Sequence, residues 1–208
     1  MTRDELSELR GRDVSRETYA RLETHAALLA KWNPKINLVS PSTLAEVWSR
    51  HILDSIQIFD LNDRLEGVWV DIGTGGGFPG LVIAILAAAE APGIAVHLVE
   101  SDLRKSAFLA TCLRETGVTA KIHSERAESL PSLNADVLSA RALASLTALL
   151  GLAERHLAPE GLALFPKGAN HQAEIDEALA TWRFRLQKHP SKTDPLAVIL
   201  AIEGLSRV

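Results

Sequence analysis

The sequence predicts an α/β fold built on a parallel sheet that helices cover on both faces. After Gly67, short apolar runs rich in β-branched residues alternate with longer helical patterns. Within those runs polar and apolar residues do not alternate, which is typical of strands buried on both faces. We therefore predict strands at Val68–Ile72, Ile94–Glu100, Ala120–His123, Ala135–Ala140 and Gly161–Pro166, and helices at Pro79–Ala89, Leu103–Thr116, Leu143–His156 and Gln172–Ala180.

The last two apolar runs follow a different pattern. Trp182–His189 and Leu196–Glu203 are separated only by a turn from Pro190 to Pro195. No helix fits between them, so a parallel crossover is excluded. The two runs are expected to pair as an antiparallel hairpin at one side of the sheet.

The first third of the chain is predicted to be helical. Thr2 and Glu5 have the spacing of a capping box, and Ser15 is a candidate N-cap for a second helix. That helix is expected to stop at Asn33–Pro34, because the residue before a proline avoids helical geometry. A further helix is expected to start at Ser40–Pro41 and to continue through the apolar positions of Leu44–Phe59.

The change of pattern near Asp63–Gly67 divides the chain. A helical N-terminal extension is predicted over residues 1–66, and an α/β domain over residues 67–208. The sequence does not decide whether the extension helps to hold a ligand or only covers the sheet.

The composition of the chain excludes several classes of function. The 208 residues are 47% hydrophobic and 23% charged, as in an ordinary globular protein. The single cysteine, Cys112, excludes an internal disulfide, and the seven histidines lack the paired spacing of a metal site. The net charge of −4 means that nucleic-acid binding would need a local basic face. The start lacks a signal-peptide core and the run Leu81–Ala89 is too short to span a membrane, so a soluble cytoplasmic protein is expected.

The most informative segment is the glycine loop, defined here as residues 71–80 (Asp-Ile-Gly-Thr-Gly-Gly-Gly-Phe-Pro-Gly). It follows the first predicted strand and precedes a helix, which is the context of a nucleotide-binding loop. Glycines let the backbone turn tightly and approach a ligand closely. Glu100 ends the second strand, where a carboxylate accepts hydrogen bonds from the two ribose hydroxyls of an adenosine-containing ligand.

Two ligands compete for this loop. The segment from Gly75 to Gly80 satisfies the dinucleotide pattern G-x-G-x-x-G. However, Asp71 with glycines at 73, 75 and 77 is typical of S-adenosylmethionine sites, because a carboxylate suits an ammonium group and repels a pyrophosphate. The terminal hairpin also fits a class I Rossmann-like S-adenosylmethionine methyltransferase sheet better than a dehydrogenase sheet. We therefore favour S-adenosylmethionine as the cofactor and keep the dinucleotide as an alternative.

Several further segments occur in order along the chain and carry a more specific match. They are Trp32–Asn37, Arg50–Ser55, the glycine loop, Glu100–Ser101 with Lys105 and Phe108–Leu109, Arg126–Glu128, Ser139–Ala142 and Lys167–Gly168. Together they resemble the bacterial 16S ribosomal RNA guanine-N7 methyltransferases, the glucose-inhibited division protein B family, from about Tyr19 to Glu203. The resemblance implies methylation of N7 of one guanine in the decoding-region loop of 16S rRNA or of the small ribosomal subunit.

The resemblance also implies site residues. Gly73 and Phe78 would line the methyl-donor site, together with Gly75 and Glu100 from the loop argument above. Ala127 and Glu128 would contact the adenine end, and Arg141 would reach in from the fourth strand. These cofactor-binding residues are Gly73, Gly75, Phe78, Glu100, Ala127, Glu128 and Arg141.

The residue types agree with chemistry at N7. Guanine N7 carries a lone pair and no proton, so direct in-line transfer needs positioning and no general base. Carbon-5 methylation needs a cysteine nucleophile, but Cys112 lies on a predicted buried helix face. Exocyclic-amine methylation usually uses an Asn/Asp-Pro-Pro-aromatic loop after the fourth strand, where this chain has Ser139–Ala142. No acid or base is assigned, and Arg141 is the candidate for positioning.

Candidate RNA-binding residues are Lys167, after the fifth strand, and Arg183, Arg185 and Lys188 in the hairpin. On a strand, Arg183 and Arg185 share one face, which also suits a solvated outer surface. Arg50 and Asp54 lie four apart on a predicted helix, so a salt link between them is expected at least as much as an RNA contact.

Two other functions stay open: a methyltransferase for a small molecule or protein, and a non-catalytic binding module.

Overall fold

The computed structural model describes residues 1–208 and contains eight α-helices and seven strands. The helices are α1 Arg3–Arg10, α2 Arg16–Ile36, α3 Pro41–Leu44, α4 Leu53–Asp60, α5 Gly80–Glu90, α6 Leu103–Thr116, α7 Leu146–His156 and α8 His171–Ala178. The strands are β1 Glu66–Ile72, β2 Gly93–Val99, β3 Lys121–His123, β4 Ala135–Ala140, β5 Leu157–Lys167, β6 Trp182–Pro190 and β7 Val198–Arg207. None of the helices is long and apolar enough to cross a membrane.

All seven strands form one sheet in the order β3-β2-β1-β4-β5-β7-β6. The first five strands are parallel, while β7 pairs antiparallel with both β5 and β6. The predicted parallel sheet and the C-terminal antiparallel hairpin are therefore confirmed. Since β1 to β5 run parallel, their carboxyl ends meet at one edge, where ligands bind in open α/β sheets.

Two hydrophobic clusters cover the two faces of the sheet. One, of 30 buried residues, joins the N-terminal helices with α5 and α6. The other, of 19 buried residues, joins α7, α8 and the hairpin. Cys112 is fully buried in the first cluster, and burial raises the pKa of its thiol to about 12. The prediction that Cys112 serves packing is confirmed.

The N-terminal caps are confirmed, but the predicted end of α2 is wrong. Thr2 and Glu5 form the capping box, and the Ser15 side chain accepts from the backbone N–H of Thr18. Helix α2 passes Pro34 and ends at Ile36. The reason is Asn33, whose side-chain oxygen accepts from the N–H groups of residues 38 and 39 and closes the helix end within one turn.

The helix predicted to span Leu44–Phe59 is interrupted. Helix α3 ends at Leu44, and a π-helical turn over Trp48–Ile52 precedes α4. Such a turn replaces i→i+4 hydrogen bonds with wider ones, as in the bond from the Leu53 N–H to the Trp48 carbonyl. This turn carries Arg50 and His51, which both reach the site described below.

Candidate functional site

A cavity of about 960 Å³ opens at the carboxyl ends of β1, β2 and β4. This volume is at the upper end of the range of small-molecule sites. Six of the seven predicted cofactor-binding residues line it: Gly73, Gly75, Glu100, Ala127, Glu128 and Arg141. Phe78 is the only predicted member that does not.

Asp71 is buried beneath the glycine loop and does not line the cavity. Its Oδ2 accepts from the Gly80 N–H at 2.9 Å, and its Oδ1 accepts from the Ser139 hydroxyl at 2.7 Å. Burial raises the pKa of Asp71 to about 7. The expectation that this carboxylate meets a ligand's ammonium group is therefore corrected: Asp71 ties the start of α5 to β4.

Glu100 lies in the cavity wall and also shapes the loop. Its Oε2 accepts from the Gly75 N–H at 2.9 Å, and its Oε1 accepts from the Asp102 N–H at 2.8 Å. A carboxylate oxygen has two acceptor positions, so each oxygen keeps capacity for one ribose hydroxyl. Glu100 thus lies at the end of β2, as the sequence predicted.

The backbone of the loop requires glycine at two positions in the cavity. Gly73 has φ +71° and Gly75 has φ +54°, a region that side chains other than glycine rarely adopt. A Cβ on Gly73 would also lie 2.8 Å from Leu143 Cδ1. This backbone lets a ligand approach the loop closely.

Phe78 packs behind the loop between two histidines. Its ring centroid lies 4.8 Å from that of His25 and 5.0 Å from that of His51. The side chain of His25 donates from Nε2 to the carbonyl of Gly76 at 2.8 Å. The structure thus places Phe78 in the support of the glycine loop and away from the cavity surface.

The two residues predicted to contact the adenine end lie together in the cavity wall. Ala127 and Glu128 form a 3-10 turn with Ser129 after β3, and both line the cavity. The buried His156 on α7 donates from Nε2 to the Ala127 carbonyl at 2.9 Å and fixes this turn against the second cluster.

Arg141 connects β4 to the N-terminal extension. Its Nη1 donates to His51 Nδ1 at 2.9 Å, and its Nη2 donates to the Arg50 carbonyl at 2.7 Å. Its Nη2 also pairs with Asp54 Oδ2 at 3.5 Å. The expected salt link between Arg50 and Asp54 is therefore wrong, because Asp54 turns inward to a cation that lies far away along the chain.

A second cavity of about 330 Å³ adjoins the first. The two cavities share only three lining residues, which are Arg141, Ala142 and Ala144. Its other walls include Asp54 and Gln57 from α4 and the hairpin loop, residues 191–197. That loop is held on α4, since Thr193 Oγ1 donates to Asp54 Oδ1 and the Lys192 N–H donates to Gln57 Oε1 at 2.6 Å.

Of the four predicted RNA-binding cations, Lys167 lines the second cavity and the other three line neither cavity. Lys167 is turned inward, with a side chain only 8% exposed, and pairs with Glu174 at 2.7 Å. Arg183 and Arg185 lie on β6 and pair with residues in the C-terminal half of β7. Because β7 runs antiparallel to β5, these two arginines lie toward the amino ends of the parallel strands. Lys188 lies nearer the cavity edge and donates to Gln172 on α8. This placement does not favour a shared RNA contact, and the assignment stays a prediction.

Three comparisons place the chain among known proteins. The family described as rRNA small subunit methyltransferase G (GidB) matches residues 18–194. Proteins named ribosomal RNA small subunit methyltransferase G from Ruegeria sp. strain TM1040 and from Ruegeria pomeroyi are 56% and 54% identical to it over 196 residues, which covers 94% of this chain and 95% and 96% of those proteins. The crystal structure of a MtNAS mutant in complex with S-adenosylmethionine superposes with a TM-score of 0.60 at 14% identity, over 89% of this chain and 75% of that one.

The sheet order and the glycine-loop cavity at its carboxyl edge define a Rossmann-like S-adenosylmethionine-dependent methyltransferase. The residues fit that cofactor, because a cradle of positive-φ glycines faces a carboxylate at the end of β2. The chain belongs to the rRNA small subunit methyltransferase G family. The suspected family resemblance is confirmed, and the dinucleotide alternative is set aside.

Proposed function

We propose that this protein methylates N7 of a guanine in the decoding-region loop of 16S rRNA, within the small ribosomal subunit or its precursor. The names of its relatives support a small-subunit rRNA substrate. Guanine N7 is hidden in the deep groove of A-form RNA, so the target base lies in a loop or is splayed out. A ribosomal substrate would place the protein in the cytoplasm.

One observation carries the choice of N7. The wall shared by the two cavities consists of a guanidinium and two alanines, Arg141, Ala142 and Ala144. None of these groups accepts a proton at neutral pH. An acceptor atom that meets the donor's methyl group at this wall finds no proton acceptor in it, which suits N7, an atom that carries no proton.

The reaction needs little from the protein beyond positioning. S-adenosylmethionine supplies a methyl carbon on a sulfonium, the N7 lone pair forms the new N–C bond, the C–S electron pair stays on sulfur, and no proton is released. The chain supplies orientation and exclusion of water. Its cysteine is buried in the core with a raised pKa, which argues against the covalent route of carbon-5 methylation.

We assign the donor site to the residues of the first cavity. Gly73 and Gly75 let the loop approach the methionine portion, and Glu100 receives the ribose hydroxyls. Ala127 and Glu128 meet the adenine edge. Phe78 supports the loop from behind through the two histidines that it contacts.

Cations at the cavity rims suit the phosphates of the RNA. Arg50 and Arg126 are exposed, Lys105 is half-buried, and none of the three has an ion-pair partner. Arg50 borders the second cavity, and the other two border the first. They provide local positive charge on a protein whose net charge is −4.

The test uses small subunits from a strain in which this gene is deleted. Purified protein and methyl-labelled S-adenosylmethionine are added, and the label is mapped by cleavage specific for N7-methylguanosine. We expect label at one guanine of the decoding-region loop and none with Gly73→Trp, which blocks the donor cavity. Label on a ribosomal protein, on another base atom or nowhere would reject the proposal.

A further inference from the structure

We propose that the second cavity receives the target guanine and that Asp54 and Arg141 read it, which rests on the proposed function. Asp54 accepts hydrogen bonds from guanine N1–H and N2–H, and Arg141 donates to guanine O6. Guanine then enters with its N7 directed at the wall that separates the cavities.

The size and position of the cavity support this assignment. Its volume of about 330 Å³ is about a third of that of the donor cavity, and it is at the lower end of the range of ligand sites. It meets the donor cavity only at Arg141, Ala142 and Ala144. Enzymes that act on a base hold the flipped base in a close-fitting pocket and contact its Watson–Crick edge.

The cavity is built from segments distant in sequence. Helix α4 contributes Asp54 and Gln57, and the hairpin loop contributes Thr193, which donates to Asp54. Both oxygens of Asp54 are fixed, one by Thr193 and one by the ion pair with Arg141. The carboxylate is therefore oriented before the base enters.

Donors and acceptors remain for a base. Arg141 has five N–H donors, of which three are directed at His51, the Arg50 carbonyl and Asp54. Its Nε–H and one Nη1–H stay without a protein partner. Asp54 Oδ1 already accepts from Thr193 and from Gln57 Nε2 at 3.3 Å, whereas Oδ2 holds only the 3.5 Å ion pair with Arg141 and is the oxygen open to the N–H groups of a base.

This arrangement selects guanine over adenine. Guanine presents the O6 acceptor beside N7, whereas adenine presents an amino donor at that position, which a donor-only guanidinium repels. On the Watson–Crick edge, next to O6, guanine presents two donors to Asp54, whereas adenine N1 is an acceptor. Because O6 neighbours N7, contact between Arg141 and O6 keeps N7 at the shared wall.

The Asp54 contact also strengthens as the reaction proceeds. Methylation moves positive charge from the donor to the guanine ring, so the guanine N1–H becomes more acidic. A carboxylate that accepts from this group binds the transition state more tightly than the neutral base. Asp54 thus raises the rate of transfer as well as the affinity for the base.

The test compares small subunits reconstituted with guanine or with inosine at the target position. Inosine lacks the N2 amino group and keeps N1–H, O6 and N7. Wild-type protein is expected to methylate inosine about ten-fold more slowly than guanine. For Asp54→Asn we expect a 10- to 100-fold loss on guanine, a guanine-to-inosine ratio that falls toward one, and unchanged affinity for S-adenosylhomocysteine in calorimetry.

Each of the other outcomes contradicts either the proposed contact with the base or the proposed function. If Asp54→Asn slows methylation of guanine and of inosine by the same factor, Asp54 only supports Arg141, and the proposal that it contacts the base is overturned. Equal rates of the wild-type protein on guanine and inosine overturn it without any variant, so a misfolded variant does not matter. Asp176→Asn, an exposed carboxylate on α8 outside both cavities, serves as the matched control. No label with the wild-type protein and guanine would instead reject the proposed function itself.

Discussion

Arg141 donates a 2.9 Å hydrogen bond to Nδ1 of His51, which joins the loop after β4 to the π-helical turn of the extension. Arginine has no acceptor, so His51 Nδ1 is unprotonated and Nε2–H donates to Thr43 Oγ1 at 2.9 Å. Burial, and next the charge of Arg141, lower the pKa of His51 to about 4. His51 is therefore neutral at physiological pH and holds Arg141 at the wall between the cavities.

Replacing His51 tests this support. His51→Leu leaves the Arg141 guanidinium without its acceptor, and a hydrogen bond to a charged group contributes about 1.5–3 kcal/mol. Single-turnover methylation is expected to slow by about 10- to 100-fold. His51→Asn, whose side-chain oxygen takes the place of Nδ1, is expected to recover most of that loss. Equal defects in the two variants would show that Arg141 does not depend on this acceptor.

The stability of the fold should fall in mild acid because of buried histidines. Burial lowers the pKa of His25 to about 4, and its Nδ1 has no partner. Between pH 6.5 and 4 the unfolded chain binds a proton on His25 that the folded chain does not. As the pH is lowered through this range, this group therefore reduces the free energy of unfolding by up to about 1.4 kcal/mol per pH unit.

Denaturant unfolding at pH 7, 6 and 5 measures this dependence, with His25→Gln as the comparison. His51 acts in the same direction as His25. Asp71 opposes them, because its raised pKa favours the folded state at lower pH. The difference between wild type and variant isolates His25, and parallel pH profiles for the two would contradict the prediction.

Gly80→Ala should destabilise the protein through the support of the glycine loop. A Cβ at Gly80 would lie 2.6 Å from Asp71 Oδ2 and 2.6 Å from Leu98 Cδ2, both in the buried region under the loop. Overpacking of this kind costs about 1–3 kcal/mol. Gly151→Ala, in α7 with no atom within 4 Å of the added Cβ, is the control and is expected to be neutral or stabilising. Thermal unfolding of the two variants measures the difference, and equal melting temperatures would refute it.

Gly73→Ala should weaken binding of S-adenosylhomocysteine by more than the backbone strain of the substitution explains. The residue has φ +71° and lies in the donor cavity. Gly117, at the end of α6, has a similar φ of +67° and lies outside that cavity, so Gly117→Ala matches the backbone strain alone. Calorimetry is expected to show lower affinity only for Gly73→Ala. Similar affinities for the two variants would move the donor site away from this loop.

Periodicity and local capping were enough to predict most of the elements. The strand β4 was predicted with its observed bounds, and the hairpin followed from the lack of room for a helix. The glycine loop was also recognised in its context between β1 and α5. These features depend on residues close together in the chain, so their signals are visible in one sequence.

Other features of the site could not be read from spacing. The pattern paired Asp54 with Arg50 four residues away, whereas the fold pairs Asp54 with Arg141. Phe78 stood in a glycine loop, yet it packs between His25 and His51. No local signal indicated that the hairpin loop closes a cavity over α4.

The order of strands and helices, the glycine loop and the carboxylate after β2 were determined by the sequence itself, because hydrophobic periodicity and turn residues act over a few positions. The tertiary structure alone decided which side chains form the wall between the cavities. Arg141 and His51 are 90 positions apart, and Thr193 and Asp54 are 139 apart. Contacts over such distances depend on how the extension and the hairpin pack against the sheet, and the spacing of residues along the chain does not encode that packing.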